Sequence, residues 1–183
     1  MTNTEQPAKL TVCLSFDFDA LSGWVADSRN PADVSRGEFA VVAVPRVLDL
    51  LDRHGIKATF FIPGHTALAY PRQVIDIQRR GHEIGHHGWA HEAAGESDVD
   101  TQREILAKGF DALQKVTGER PVGYRASRGS YGVETIDLLL ESGIRYNSHF
   151  SASDLFFAGR SGSVVNANIV QPGALVRLAT LFA

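Results

Sequence analysis

One cysteine, Cys13, stands alone in 183 residues, so no disulfide can form within the chain. No apolar run approaches the roughly 18–20 residues that a membrane-crossing helix needs. The polar start, "MTNTEQPAKL", lacks the apolar core of a secretory leader. These absences set the expectation of a cytoplasmic protein. Neither sign of charge dominates: 18 Lys and Arg against 21 Asp and Glu leave a net −3, which offers no basic surface to nucleic acid or an anionic membrane. Repeats and low-complexity segments are also missing. With 44% hydrophobic and 21% charged residues, the chain reads as an ordinary globular protein able to bury one sizeable core. The expected division is a disordered start at 1–9, a domain over 10–155 and an atypical tail over 156–183.

Short β-rich runs alternate with stretches of helical spacing. The strand-like runs are "LTVCLSF" (10–16), "KATFFI" (57–62), "HEIGHH" (82–87), "VGYRA" (122–126) and "IRYNSHF" (144–150). Between them, four apolar-periodic segments end at glycines 55, 81, 118 and 143, and one of these starts at Pro71. In the third, Leu106, Phe110, Leu113 and Val116 share one stripe. Strand–helix alternation predicts an α/β fold with a parallel sheet and right-handed crossovers, its function gathered at the carboxyl ends of the strands. Asp17, Asp19, His65, the histidines of 86–91 and Arg125 all fall there.

"SFDFDALSGW" ends an apolar run with two aspartates one residue apart. Alternate residues of a strand share a face, so Asp17 and Asp19 stand side by side while Phe16 and Phe18 face the other way. Two adjacent carboxylates repel unless a cation or a shared proton intervenes. "GHEIGHHGWAHE" supplies candidate ligands for a cation: His87 and His91 are four apart, on one face of a helical turn or across a tight loop. His86 is five from His91, a poorer match to one face. Two imidazoles and a carboxylate make a three-ligand site with a position left for water. Asp19, nearer the loop, is the expected carboxylate ligand, and Asp17 is free to take a proton from water that the cation acidifies. Arg125 is either a structural arginine or the partner that keeps Asp17 ionised and oriented.

The stretches "SFDFDALSGW", "FFIPGH", "GHEIGHHGWAHE" and "GYRASRGS", in that order over residues 10 to 155, resemble the motifs of the NodB-homology polysaccharide deacetylases. The resemblance is nearest to the subgroup of peptidoglycan deacetylase-like and allantoinase-like proteins, whose first motif reads Asp-x-Asp-Ala with Gly-Trp shortly after. It implies a distorted (β/α) barrel and a divalent metal, Zn²⁺ or similar, on Asp19, His87 and His91. It further implies Asp17 as general base, Arg125 as the residue orienting it, and removal of an N-acetyl group from a carbohydrate.

Two departures stand out. Ser127 occupies the place where the third motif usually has proline, which predicts a looser strand end around Arg125. The family's late aspartate–tryptophan and Leu-x-x-His motifs have no counterpart, since no histidine follows His149 and no tryptophan follows Trp89. The expectation is therefore an incomplete barrel of about five β/α units with an open edge, from a truncated family member. Two other readings stay open: an allantoinase-like hydrolase of a small cyclic ureide, and an inactive remnant or carbohydrate-binding partner. An oligomer covering the open edge is a related expectation.

Overall fold

A computed structural model describes residues 13–25, 34–148, 168–169 and 179–180. Five parallel strands form its centre: β1 (Leu14–Asp17), β2 (Ala58–Ile62), β3 (Glu83–His86), β4 (Gly123–Tyr124) and β5 (Tyr146–Asn147). They lie in sequence order, each parallel to the next, as successive right-handed crossovers produce. The arrangement is the expected incomplete (β/α) barrel.

The helices between them are α1 (Ser22–Val25), α2 (Val34–Arg53), α3 (Gly64–Ala69), α4 (Pro71–Arg79), α5 (Val99–Thr117) and α6 (Thr135–Glu141). Asp98 caps α5 by accepting from the Thr101 backbone N–H at 2.8 Å. The predicted glycine stops hold: residues 55, 81, 118 and 143 all have left-handed backbone, with φ between 62° and 82°.

The strands divide their residues between two faces. Phe60 and Ile62 of β2 turn outward into a core with Phe18, Val44, Leu48, Val74, Ile77 and Leu113, which closes α2, α4 and α5 over the sheet. A second cluster joins Leu106, Phe110, Tyr124, Leu138, Leu139 and Ile144 beneath α5 and α6. Each such side chain, when fully buried, contributes about 1.5–3 kcal/mol. The stripe predicted on α5 is the one that packs: Leu106, Phe110 and Leu113 are buried in these clusters, and Val116 packs partly buried against the first.

The sheet edges differ from expectation. β6 (Asn168–Ile169) pairs antiparallel with β5, and β7 (Ala179–Thr180) pairs parallel with β1, so each edge of the five-strand unit carries a two-residue strand. Unpaired edge N–H and C=O groups are a strong inducement to such pairing. Otherwise the expected disordered start and atypical tail, like His149, lie outside the described residues.

Candidate active site and metal centre

The carboxyl ends of β1, β3 and β4 bring the predicted side chains together. β1 stops at Asp17, and the Phe18 N–H donates to the Phe61 carbonyl at 2.9 Å, so the chain stays tied to β2 for one residue more. Asp19 follows as the chain turns away, with Ala20 in left-handed backbone at φ 45°. The two carboxylates thus reach one spot from a strand end and from the turn beyond it.

His87 and His91 belong to a tight loop after β3, the second of the two geometries that their spacing allowed. Gly88 at φ 77° and His91 at φ 64° bend this loop. Glu92 braces it from within, its Oε2 accepting from the N–H groups of Trp89 at 3.2 Å and Ala90 at 2.8 Å. The two imidazole centroids end 5.3 Å apart.

One hydrogen bond settles the tautomer of His87. Its Nδ1 lies 2.7 Å from the Arg125 carbonyl oxygen, which can only accept, so Nδ1 carries the proton. Nε2 then faces Asp19, 3.5 Å from Oδ1. His91 Nε2 is 3.4 Å from Asp19 Oδ2. Ligand atoms of Asp19, His87 and His91 all lie within 4.8 Å of one another.

These residues fit a divalent cation. A tetrahedral ion with bonds of about 2.0–2.1 Å sets its ligand atoms roughly 3.4 Å apart, and each imidazole Nε2 lies at about that distance from one of the two Asp19 oxygens, His87 from Oδ1 and His91 from Oδ2. Asp19 Oδ1 is buried and accepts no hydrogen bond, an unsatisfied carboxylate oxygen of the kind that a cation relieves. Burial, reinforced by the charge of Asp17 and opposed by His87 and Arg125, raises the Asp19 pKa from 3.8 to about 6. Without a cation the site holds an ionised Asp19 only at a cost.

Asp17 faces Arg125. Arg125 Nη1 donates to Asp17 Oδ1 at 2.5 Å, and Nη2 donates to Ser15 Oγ at 2.6 Å and Ser148 Oγ at 2.7 Å. The guanidinium sits 4.3 Å over the Phe61 ring. The looser strand end predicted from Ser127 is not found. Ser127 Oγ donates to the His87 carbonyl at 2.7 Å, a bond that proline could not make.

A further chain of hydroxyls supports Asp19 from behind. Thr66 Oγ1 donates to the Asp19 carbonyl, Ser22 Oγ lies 2.7 Å from Thr66 Oγ1, and His65 Nδ1 lies 3.0 Å from Ser22 Oγ. Each hydroxyl has one proton, so Ser22 must donate to Thr66 and His65 must donate to Ser22 through Nδ1. His65 therefore reaches this site only through two intervening hydroxyls.

His86, the rival ligand, points the other way. Its Nε2 donates to the Leu106 carbonyl at 3.1 Å and its Nδ1 accepts from the Gly88 N–H at 3.1 Å. Burial lowers its pKa to about 4, so it stays a neutral core histidine. His82 is likewise packed, accepting from the Ala58 N–H at 3.2 Å. Sequence reasoning missed Ser15, Ser22, Thr66, Glu92 and Ser148. Only Ser15 had a signal, its place two residues before Asp17 on the same strand face.

Comparison with known proteins follows the same segments. The profile of the family described as polysaccharide deacetylase matches residues 7–147. The peptidoglycan deacetylase-like protein FGM2 of Gibberella zeae is 40% identical over 157 residues, covering 82% of this chain and 46% of that protein. The peptidoglycan deacetylase of Helicobacter pylori is 33% identical over 150 residues, covering 80% of this chain and 51% of that protein. A crystal structure from Mycobacterium smegmatis, assigned to the polysaccharide deacetylases, superposes with a TM-score of 0.74 at 39% identity, over 82% of this chain and 55% of that one. The chain thus spans about half the length of the curated relatives it matches. From the match over 7–147, and from a fold shared at 39% identity, the chain belongs to the polysaccharide deacetylase family.

Proposed function

We propose that this chain carries the metal half of a hydrolase site that removes N-acetyl groups from a carbohydrate of the peptidoglycan type. The observation that supports it is the meeting of Asp19, His87 and His91 beside an Asp17–Arg125 pair. Asp19, His87 and His91 would hold the cation, with Zn²⁺ favoured by two imidazoles and one carboxylate. When bound, such a cation polarises an amide carbonyl and lowers the pKa of water towards about 7.

The remaining chemistry is assigned to this chain's own residues. Asp17 takes the proton as water adds to the acetyl carbonyl carbon, and Arg125 holds the Asp17 carboxylate towards that spot. The bond from that carbon to nitrogen then breaks. The nitrogen leaves as an amine with a proton gained, and Asp17 has the one it received to give. The acetyl group departs as acetate.

The test is acetate release from N-acetylglucosamine oligomers and from peptidoglycan, with metal content measured on the same protein. Stoichiometric Zn²⁺ lost in both His87→Ala and His91→Ala, with acetate release lost alongside, supports the reading. Release that survives both changes overturns it. Allantoin consumption instead of acetate release would favour the ureide reading. Cytoplasmic location and an oligomer belong to the same proposal, and fractionation and light scattering decide them.

A further inference from the structure

We propose that Ser127 and Arg128 are positioning residues for metal uptake, holding the main chain of the two histidine ligands so that their donor atoms meet Asp19. This inference rests on the metal reading above. The turn after β4 meets the ligand loop three times. The Arg125 carbonyl accepts from His87 Nδ1 at 2.7 Å, Ser127 Oγ donates to the His87 carbonyl at 2.7 Å, and Arg128 Nε donates to the His91 carbonyl at 3.0 Å.

The loop so held is costly to form. His91, at φ 64°, occupies left-handed backbone that side-chain-bearing residues avoid, and Arg128, at φ 54°, does the same on the opposing turn. Such conformations persist where their surroundings over-determine them, and here each strained residue is tied to the other. The fit is also close. A Cβ on Gly88 would lie 2.9 Å from Ser127 Oγ, so the hydroxyl is pressed against the ligand loop and is itself buried, at 3% exposure.

The place of attachment separates this clasp from an ordinary loop fastening. Ser127 and Arg128 grip the peptide groups of the two ligands themselves. Slack at either carbonyl turns the imidazole on the same residue, so loss of a bond displaces donor atoms before it threatens the core. Removal of partners that orient a metal ligand typically weakens metal binding about 10–100-fold.

Zn²⁺ dissociation constants of the full chain, measured by competition with a chromophoric chelator, test the proposal. Metal-free Tm is read on each protein as the structural control. Ser127→Ala is expected to bind Zn²⁺ about tenfold more weakly, with Ser127→Thr, which keeps the hydroxyl, within about threefold of wild type. Arg128→Ala, at an exposed position, is expected to weaken binding about tenfold with little change in metal-free Tm. Wild-type affinity in Ser127→Ala overturns the proposal, as does a Ser127→Thr protein as weak as Ser127→Ala. Should Ser127→Ala fail to fold, wild-type affinity in Arg128→Ala overturns it instead. A wild-type chain that takes up no Zn²⁺ defeats the metal reading and this inference together. A wild type that binds, with variants unchanged, defeats this inference alone.

Discussion

Arg125 meets Asp17 with one arm of its guanidinium and two serine hydroxyls with the other, so its orientation is determined from both sides. A planar fork can serve these three acceptors at once, whereas an ammonium presents a single point. In Arg125→Lys the charge survives and the direction does not. Acetate release is expected to fall about 10²-fold, the usual worth of a positioned proton acceptor. Zn²⁺ content should remain at the wild-type level. Equal loss of metal and turnover would contradict the division of roles.

Asp19 predicts an inverted effect on stability. Its pKa is raised to about 6 in the folded protein against 3.8 for the free group. The favourable contribution of the protonated form is therefore complete below about pH 4 and lost as pH rises through 6. At pH 7.5 ionised Asp19 costs the metal-free protein at most about 3 kcal/mol, and about 1 kcal/mol after allowance for water reaching a partly exposed side chain. Asp19→Asn should abolish Zn²⁺ binding and raise the metal-free Tm by a few degrees. The Tm gain should shrink towards zero at pH 4.

The same carboxylate makes metal capture pH-dependent in the opposite direction. A proton on Asp19, or on either imidazole Nε2, occupies a position that the cation needs. Zn²⁺ affinity is expected to fall about tenfold or more between pH 7 and pH 5, with protons released on binding. Chelator competition across that range, paired with proton release in weakly buffered solution, measures both. A flat profile would remove Asp19 from the ligand set.

Gly109 offers a prediction free of the site chemistry. In an exposed helix, Gly→Ala gains about 1 kcal/mol. Here a Cβ would lie 2.7 Å from the Gly88 carbonyl and closer still to His86 Nε2, because α5 packs directly on the ligand loop. Gly109→Ala is expected to destabilise by about 1–3 kcal/mol, the usual cost of overpacking a core. Urea denaturation of the metal-free protein gives the sign.

Much of this site is legible in the sequence alone. Two carboxylates cannot share a strand end without a cation or proton, and His87 and His91 were the pair whose spacing allowed convergence. The loop form taken by 87–91 was one of two geometries that spacing permits, and only the left-handed turn at His91 chose between them. The contribution of Ser127 was read with the wrong sign, because the missing proline was visible and the new hydroxyl bond was not. Ser22, Thr66 and Ser148 act across 23 to 47 residues of sequence, and common hydroxyl residues carry no local mark of such contacts. Helices α1 and α3, of 4 and 6 residues, are too short to display a helical period.

Arg125 engages Asp17 through its side chain and His87 through its main-chain carbonyl. Substitution at this position can therefore interrogate proton transfer while leaving the imidazole anchored, since every amino acid brings the same carbonyl. Dissecting the anchor itself calls for chemistry on the backbone, such as replacing the amide between residues 125 and 126 with an ester to weaken that acceptor. The proposed proton acceptor and the candidate metal ligand are in this way wired through one residue yet addressable by different tools.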